Sequence, residues 1–251
     1  EEPLGPGHAV LCAKPSLNGN CIVAFADTLF KANFTFDPKV DGIIWVQKVD
    51  DPSSFGVVKT DENNVITEFV EKSPTFVSDM AIVGLYYFND GDRLRDTLQR
   101  LVDEDIRDKG EYQLTTALEL LKDGGVKFQP SLIEEWLDCG NKDNVIATNQ
   151  RMLQLKQEKE QLVAEDVQTE NAVIIPPCYI GKGVVIRNSV VGPHVSLGHN
   201  STVESSVISN TVIQNNTTVR HANLQSSMIG NEASYTGKPA DVSIGDYSEH
   251  Q

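Results

Sequence analysis

From residue 174 onward an aliphatic side chain recurs at Ile174, Ile180, Ile186, Val191, Leu197, Val203, Ile208, Ile213, Val219, Leu224 and Ile229, in steps of 6, 6, 5, 6, 6, 5, 5, 6, 5 and 5 residues. Gly, Asn, Ser, Thr and His fill the intervals. A helix repeats its apolar face every 3.6 residues or so, and a half-buried strand every second residue, so neither fits. A period near six, sustained over more than fifty residues, predicts a parallel β-helix. Each step supplies one flat side of a triangular coil and points its aliphatic residue at the axis. Asn and Gly suit the corners, where the backbone must adopt left-handed angles. Eleven steps on three sides give between three and four coils, and the slips to five imply irregular corners. Such a stack needs its ends covered. For the tail Ala240 to Gln251, capping, docking and hanging free all stay open. His194, His199 and His221 lie inside the repeat, as polar corner residues or as bases for an acyl transfer; the corner reading is favoured for each.

Upstream of the repeat the chain reads differently. His8 to Ala13 predicts a helix, preceded by Gly5 and Gly7 in a Pro- and Gly-rich turn. Backbone N–H groups at such a start suit an anion or a base edge, although a plain turn into the helix accounts for them as well. Cys21 to Ala26 is a continuous apolar run, as expected for a parallel strand covered on both faces. Gly42 to Val49 is β-rich, and residues 55–60 and 65–70 flank Asp61-Glu62-Asn63-Asn64 as a hairpin. Ala81 to Phe88 and Val126 to Phe128 predict strands; Asp92 to Asp105 and Gln113 to Leu121 predict helices. Strands alternating with helices imply an α/β sheet. Asn144 to Val163 reads as a long connecting helix, so the expected domains are 1–143, a linker over 144–170, and the repeat over 171–251.

Two acids stand out by position. Asp27 closes the apolar run Val23-Ala24-Phe25-Ala26, and Asp138 closes Trp136-Leu137, with Cys139-Gly140 after it. In open α/β sheets ligands lie beyond the carboxyl ends of strands. The two carboxylates are therefore expected to meet and share a divalent metal. An N-cap role for Asp27 is the plainer alternative. Just past the hairpin, Glu71-Lys72-Ser73-Pro74 offers an acid for sugar hydroxyls and an amine for a phosphate, or simply a solvated strand end.

Charge limits the partners. Lys+Arg 21 against Asp+Glu 36 gives a net charge of −15, which argues against nucleic-acid binding and helps keep an oligomer soluble. Cys12, Cys21, Cys139 and Cys178 form no CxxC pair and are read as buried thiols in a reducing, cytoplasmic setting. There is no signal peptide and no apolar run long enough to cross a membrane. In a cytoplasmic chain the glycosylation sequons at Asn33, Asn200 and Asn215 are chance matches.

Several stretches, in their order and spacing, carry a family likeness: Glu2-Pro3-Leu4-Gly5, Phe25-Ala26-Asp27, Phe55-Gly56-Val57-Val58, Phe69-Val70-Glu71-Lys72-Ser73-Pro74, Ala81-Ile82-Val83-Gly84-Leu85-Tyr86, Gly110-Glu111-Tyr112-Gln113-Leu114-Thr115 and Trp136-Leu137-Asp138-Cys139-Gly140. Together with the repeat they resemble the sugar-1-phosphate nucleotidylyltransferases that carry a C-terminal left-handed β-helix. The resemblance covers nearly the whole chain. It implies an α/β chain: a truncated Rossmann-like nucleotidyltransferase domain with a mixed sheet, then a left-handed parallel β-helix. It implies Mg²⁺ on Asp27 and Asp138, and Gly5 and Asp27 on the nucleotide. Gly56, Glu71 and Ile82 would line the sugar site, with Lys72 on the sugar phosphate. Lys109 stands where the family often has Arg; an amine still meets a phosphate but lacks the bidentate fork. The implied partners are a nucleoside triphosphate and a sugar-1-phosphate, in a homo-oligomer without nucleic acid or membrane.

The Gly-rich loop with its Arg and the following Pro-Lys turn, which cradle the triphosphate in that family, have no match in this sequence. Because the chain opens at Glu1 without a methionine, it reads as a piece lacking the N-terminal part of the domain, and the piece alone is expected to be inactive. Turnover by the purified chain would refute that. Gly7 to Lys14 looks like the corresponding helix of UTP–glucose-1-phosphate uridylyltransferases, and the β-helix like the thymidylyltransferase branch. A pyrimidine nucleotide (dTTP or UTP) with glucose-1-phosphate is favoured; guanylyl and adenylyl transfer stay open. Two other roles stay open for the β-helix: acyl or acetyl transfer, making a bifunctional protein, or assembly and regulation.

Overall fold

The computed structural model describes residues 3–32, 39–238, 240–243 and 246. Glu2, the Asn33 sequon and most of the predicted tail fall outside the described residues. The chain forms two compact units, 1–137 and 138–251. Among the described residues no helix is long and apolar enough to cross a membrane.

The first unit is built on a mixed sheet. Its spine is β6 (Met80–Phe88), flanked by β3 (Gly42–Lys48) on one edge and by β4 (Gly56–Thr60) and β1 (Cys21–Ala24) on the other. β4 continues to β5 (Ile66–Glu71), and β3 to β7 (Phe128–Leu132). Only β3 and β7 run parallel; the other ladders are antiparallel. β3 is buried on both faces. Ile44 and Val46 meet a core shared with the helices α1 (Pro6–Leu11), α2 (Gly91–Asp103) and α3 (Leu114–Asp123), while Ile43 and Trp45 meet Val83, Leu85, Tyr87 and Ile133. In α2, Leu94, Leu98 and Leu101 recur on one face, and Asp90 caps it by accepting from Arg93 N at 2.9 Å. A separate two-stranded sheet pairs β2 (Thr28–Lys31) with β8 (Glu135–Asp138). Glu134 N donates to Lys31 O at 2.9 Å, so the end of β2 lies beside the start of β8 and the pair is antiparallel.

The expected parallel, doubly covered strand at 21–26 is corrected. β1 pairs antiparallel with β6, alternates between covered and open positions, and leaves Ile22 58 % exposed. The predicted helix at 8–13 starts two residues earlier, with Pro6 in its first turn, where a missing N–H costs nothing.

The second unit opens with α4 (Lys142–Lys156), shorter than the sequence spacing suggests. Ile180 N already bonds Leu162 O at 2.9 Å, so the chain has joined the first coil by that point. Three parallel sheets then form the faces of a solenoid. One holds Gln168–Glu170, Val185–Arg187, Thr202–Glu204, Thr218–Arg220 and Ser234–Thr236; the second Val173–Ile174, Val190–Val191, Val207–Ser209 and Asn223–Gln225; the third Cys178–Ile180, Val195–Leu197, Val212–Ile213 and Met228–Ile229. The pairings Val185 with Gln168 and Thr202 with Val185 give 17 residues per coil; Thr218 with Thr202 and Ser234 with Thr218 give 16. The lost residue comes from one corner, between the second and third faces. There the early coils carry Pro176-Pro177 and Gly192-Pro193, and the later ones a single Asn210 or Ser226 at positive φ.

Corner chemistry follows from backbone angle. Asn171, Asn188, Ser205 and His221 occupy the left-handed region at one corner, and Gly183, Asn200, Asn216 and Glu232 at another. Just inside the corners, buried hydroxyls close the backbone bonds between coils. Ser201 Oγ accepts from Thr217 N at 3.1 Å; Thr217 Oγ1 accepts from Ala233 N at 3.4 Å and donates to Gly230 O at 2.7 Å. Thr217→Val keeps the shape and strands both groups. It is expected to cost about 1–3 kcal/mol, measured by denaturant unfolding; an unchanged midpoint would show the hydroxyl ladder to be idle.

Candidate functional site

The β4–β5 hairpin delivers the first half of the site. In register, Gly56 stands opposite Glu71. A Cβ built on Gly56 would lie 3.0 Å from Glu71 Oε2 and 3.4 Å from both Ile82 Cδ1 and Thr115 Cγ2. A side chain at 56 would therefore displace the carboxylate or fill the space before it. Glu71, Ile82 and Gly56, read separately in the sequence, thus meet around one small volume. Thr115, in the first turn of α3, donates its hydroxyl to Glu71 Oε2 at 3.1 Å. Lys72 Nζ stands 3.9 Å from Glu71 Oε1, and its side chain is 58 % exposed where that of Glu71 is 14 %. Burial, and secondarily the Glu71 charge, push the neighbouring Tyr86 phenol far above its ordinary range, so it stays neutral.

The arrangement is a carboxylate with one oxygen held by Thr115 and the other facing a largely exposed ammonium. It can accept hydroxyl hydrogen bonds and neutralise an adjoining anion. Lys109 is also present, through its bonds to the carbonyl oxygens of Glu71 and Lys72 at 2.9 and 3.0 Å.

Gly5 takes φ +104 immediately before α1, and a Cβ there would sit 2.8 Å from Glu111 Cβ. Leu4 O accepts from Tyr112 N at 2.9 Å, and Gly7 N donates to Tyr112 O at 2.7 Å. Packing against residues 111–112 is thus a sufficient reason for glycine at position 5. Asp27 is exposed and precedes β2 directly; Asp138 is the last residue of β8. Each aspartate thus stands at a strand end of its own, Asp27 before β2 and Asp138 closing β8. Asp138 is held in place: Gly140 N donates to Oδ1 at 2.9 Å, Asn144 Nδ2 donates to Oδ2, and Thr148 Oγ1 donates to its carbonyl at 2.9 Å. Among the described residues no group of three His, Cys, Asp or Glu could hold a metal ion.

Thr115 and Tyr86 are not singled out by the sequence, although both lie within the stretches that carry the family likeness. A Thr in the opening turn of a helix that follows Gly-Glu-Tyr was the available signal for the first.

Residues 16–155, more than half of the chain, match the family model described as nucleotidyl transferase. The chain belongs to that family. Among curated relatives of this nucleotidyl transferase chain, a glucose-1-phosphate thymidylyltransferase of Streptomyces griseus is 24 % identical over 100 % of the chain and 77 % of its own length. One of Streptomyces antibioticus is 30 % identical over 81 % of the chain and 62 % of its own length. The bifunctional protein GlmU of Methanococcus aeolicus is 33 % identical over 68 % of the chain and 41 % of its own length. The chain therefore spans less than two thirds of two of these three. In fold it is similar to the nucleoside-diphosphate-sugar pyrophosphorylase of Vibrio cholerae, with a TM-score of 0.51, 22 % identity, and coverage of 59 % of this chain and 66 % of that one.

Proposed function

We propose that this chain supplies the sugar-phosphate half of an enzyme that moves a nucleotidyl group from a nucleoside triphosphate to a sugar-1-phosphate, releasing pyrophosphate. The observation that carries this reading is the meeting of Gly56, Glu71, Ile82 and Thr115 beside the exposed ammonium of Lys72. Glu71 Oε1 accepts sugar hydroxyls, Ile82 packs against the ring, Gly56 leaves room for it, and Lys72 meets the phosphate. The relatives named glucose-1-phosphate thymidylyltransferase favour glucose-1-phosphate with dTTP as donor, and the likeness of Gly7 to Lys14 to uridylyltransferases keeps UTP beside it.

The sugar phosphate is already an anion, so its oxygen attacks the α-phosphorus in line without a general base. The O–P bond to the sugar phosphate forms as the bond to pyrophosphate breaks. Catalysis is then positioning and charge neutralisation. Asp27 and Asp138 are each a donor of the kind Mg²⁺ takes, since this ion needs only one or two carboxylates and completes its shell with water and phosphate oxygens. When bound it would neutralise phosphate charge. The chain's own contribution there is to aim Asp138, through Gly140 and Asn144, and to leave Asp27 open. Gly5, close-packed on residues 111–112, would let a base approach the backbone.

The test is Asp27→Asn in the natural protein that contains this chain, assayed for nucleotide-sugar formation with Mg²⁺. Loss of turnover by about 10²- to 10³-fold with an unchanged circular dichroism spectrum is expected. Undiminished turnover would remove Asp27 from the metal site.

We assign the solenoid to assembly rather than acyl transfer. His194 and His221 are left-handed corner residues, and His199 accepts from Lys182 N at its Nδ1, 2.9 Å away, as one rung of a ladder between coils. Of the four cysteines expected to be buried only Cys178 is; Cys12 is exposed and Cys21 and Cys139 are half-buried, and the free thiol of each favours a reducing, cytoplasmic setting.

A further inference from the structure

The end of β5 carries an unusual backbone. Lys72 has φ +43, in the left-handed region that residues with a Cβ seldom enter. Such a conformation persists only where its surroundings hold it. Lys72 N donates to Phe55 O at 3.2 Å, and Lys109 Nζ donates to Glu71 O at 2.9 Å and to Lys72 O at 3.0 Å. One ammonium therefore ties down both carbonyls at the point where the strand turns away.

The loop that carries Lys109 is itself braced. Lys109 and Gly110 both have positive φ, and Asp108 and Glu111 exchange backbone bonds of 2.9 and 3.1 Å. Arg107 bonds Asp105 at 2.7 Å and the Tyr112 hydroxyl at 3.0 Å, while its guanidinium lies 4.5 Å from the Tyr112 ring centroid. The Tyr112 hydroxyl in turn donates to Asp105 at 2.7 Å. An amine held this way is committed to the backbone of residues 71 and 72. The Lys72 amine, exposed and with only a 3.9 Å contact to Glu71 Oε1, is the one placed to meet an anion.

We propose that Lys109 is a positioning residue. It binds no phosphate; it locks the turn after β5, and so fixes where the Glu71 carboxylate and the Lys72 ammonium point. The inference rests on the sugar-phosphate reading of this site, and it separates two roles that charge alone would merge. A phosphate ligand acts only on a phosphorylated sugar. A latch on Glu71 and Lys72 acts on any sugar the site accepts.

The experiment compares wild type, Lys109→Met and Lys109→Arg of the natural protein. Backbone hydrogen exchange over residues 69–74 is read without ligand, and affinities for glucose 1-phosphate and for glucose are read by titration. Lys109→Met is expected to speed exchange at the Lys72 amide about 10- to 100-fold, and to weaken both sugars by a similar factor. Lys109→Arg, whose guanidinium can donate to two carbonyls, is expected to restore both. Unchanged exchange, with weaker glucose 1-phosphate and unaltered glucose, would overturn the proposal and make Lys109 a phosphate ligand. If the wild type binds neither sugar, the functional reading fails, and the exchange experiment still decides the latch by itself. Should Lys109→Met not fold, Lys109→Gln, whose amide keeps two N–H donors but is one atom shorter and uncharged, is read in the same way and is expected to show intermediate exchange.

Discussion

A Val203→Asp variant is expected to lose the solenoid while the first unit stays folded. Val203 is fully buried on the axis, with Ile186 paired above it and Val219 below. The hydrophobic residues packed around that axis are aliphatic apart from Cys178, and the buried hydroxyls beside them, Ser201 and Thr217, are already committed to the backbone bonds between coils. An unpaired buried charge costs several kcal/mol, and about 2 kcal/mol of apolar burial is lost with the valine. The sum rivals the net stability of a whole domain, about 5–15 kcal/mol. Position makes it worse, because a coil contacts only its neighbours, so a defect in the middle uncouples the coils on both sides. Backbone hydrogen exchange reads the result directly: the strands from Gln168 to Thr236 should become unprotected, while β3 and β6 keep their protection. Native-like protection across the three faces would mean that Val203 does not lie on the axis.

That experiment also bears on what the sequence made legible. All eleven aliphatic positions of the repeat pack on the axis. Ile174, Leu224 and Ile229 are only partly buried because they lie toward the ends of the stack, where neighbours run out. The period was readable because each coil repeats the same local demand. The five-residue slips were not, since a spacing cannot say which corner has tightened. In the structure the corner after the first face takes a five-residue step in every coil, through Asn188, Ser205 and His221, whereas the corner after the second shortens only once its proline is gone.

In the first unit, the hairpin of β4 and β5 and the burial of β3 could be read from turn residues and apolar runs. The run at Cys21 misled, because an apolar segment looks alike as a buried parallel strand and as an antiparallel edge; the difference lies in its neighbour β6, remote in sequence. The candidate site divides in the same way. Gly56 and Glu71 face each other through a local register. The contributions of Thr115 and Lys109 depend on a helix and a loop folding back across more than thirty residues, and no local pattern announces them.

Glu71 should prove the costliest side chain to remove from the sugar site. Glu71→Ala is expected to weaken glucose 1-phosphate binding about 10²- to 10⁴-fold, as two hydrogen bonds to a charged acceptor disappear. Glu71→Gln keeps an acceptor oxygen but no charge, and should lose only about 10- to 10²-fold. The partners decide the ranking. Thr115 holds Oε2 and Lys72 stands off Oε1, so the carboxylate is aimed before any ligand arrives, and little of its strength is spent on ordering. A sugar phosphate that lacks one hydroxyl in contact with Glu71 should bind wild type poorly, yet differ far less from the parent sugar in Glu71→Ala, because the group that discriminates has gone. Tyr86 provides an internal check that the pocket is intact. Its phenol is buried beside Glu71 and stays neutral, so its near-ultraviolet circular dichroism should be retained in both variants when the pocket keeps its packing. Equal discrimination between sugar and deoxysugar in wild type and Glu71→Ala, with the near-ultraviolet spectrum retained, would place sugar recognition elsewhere in the fold.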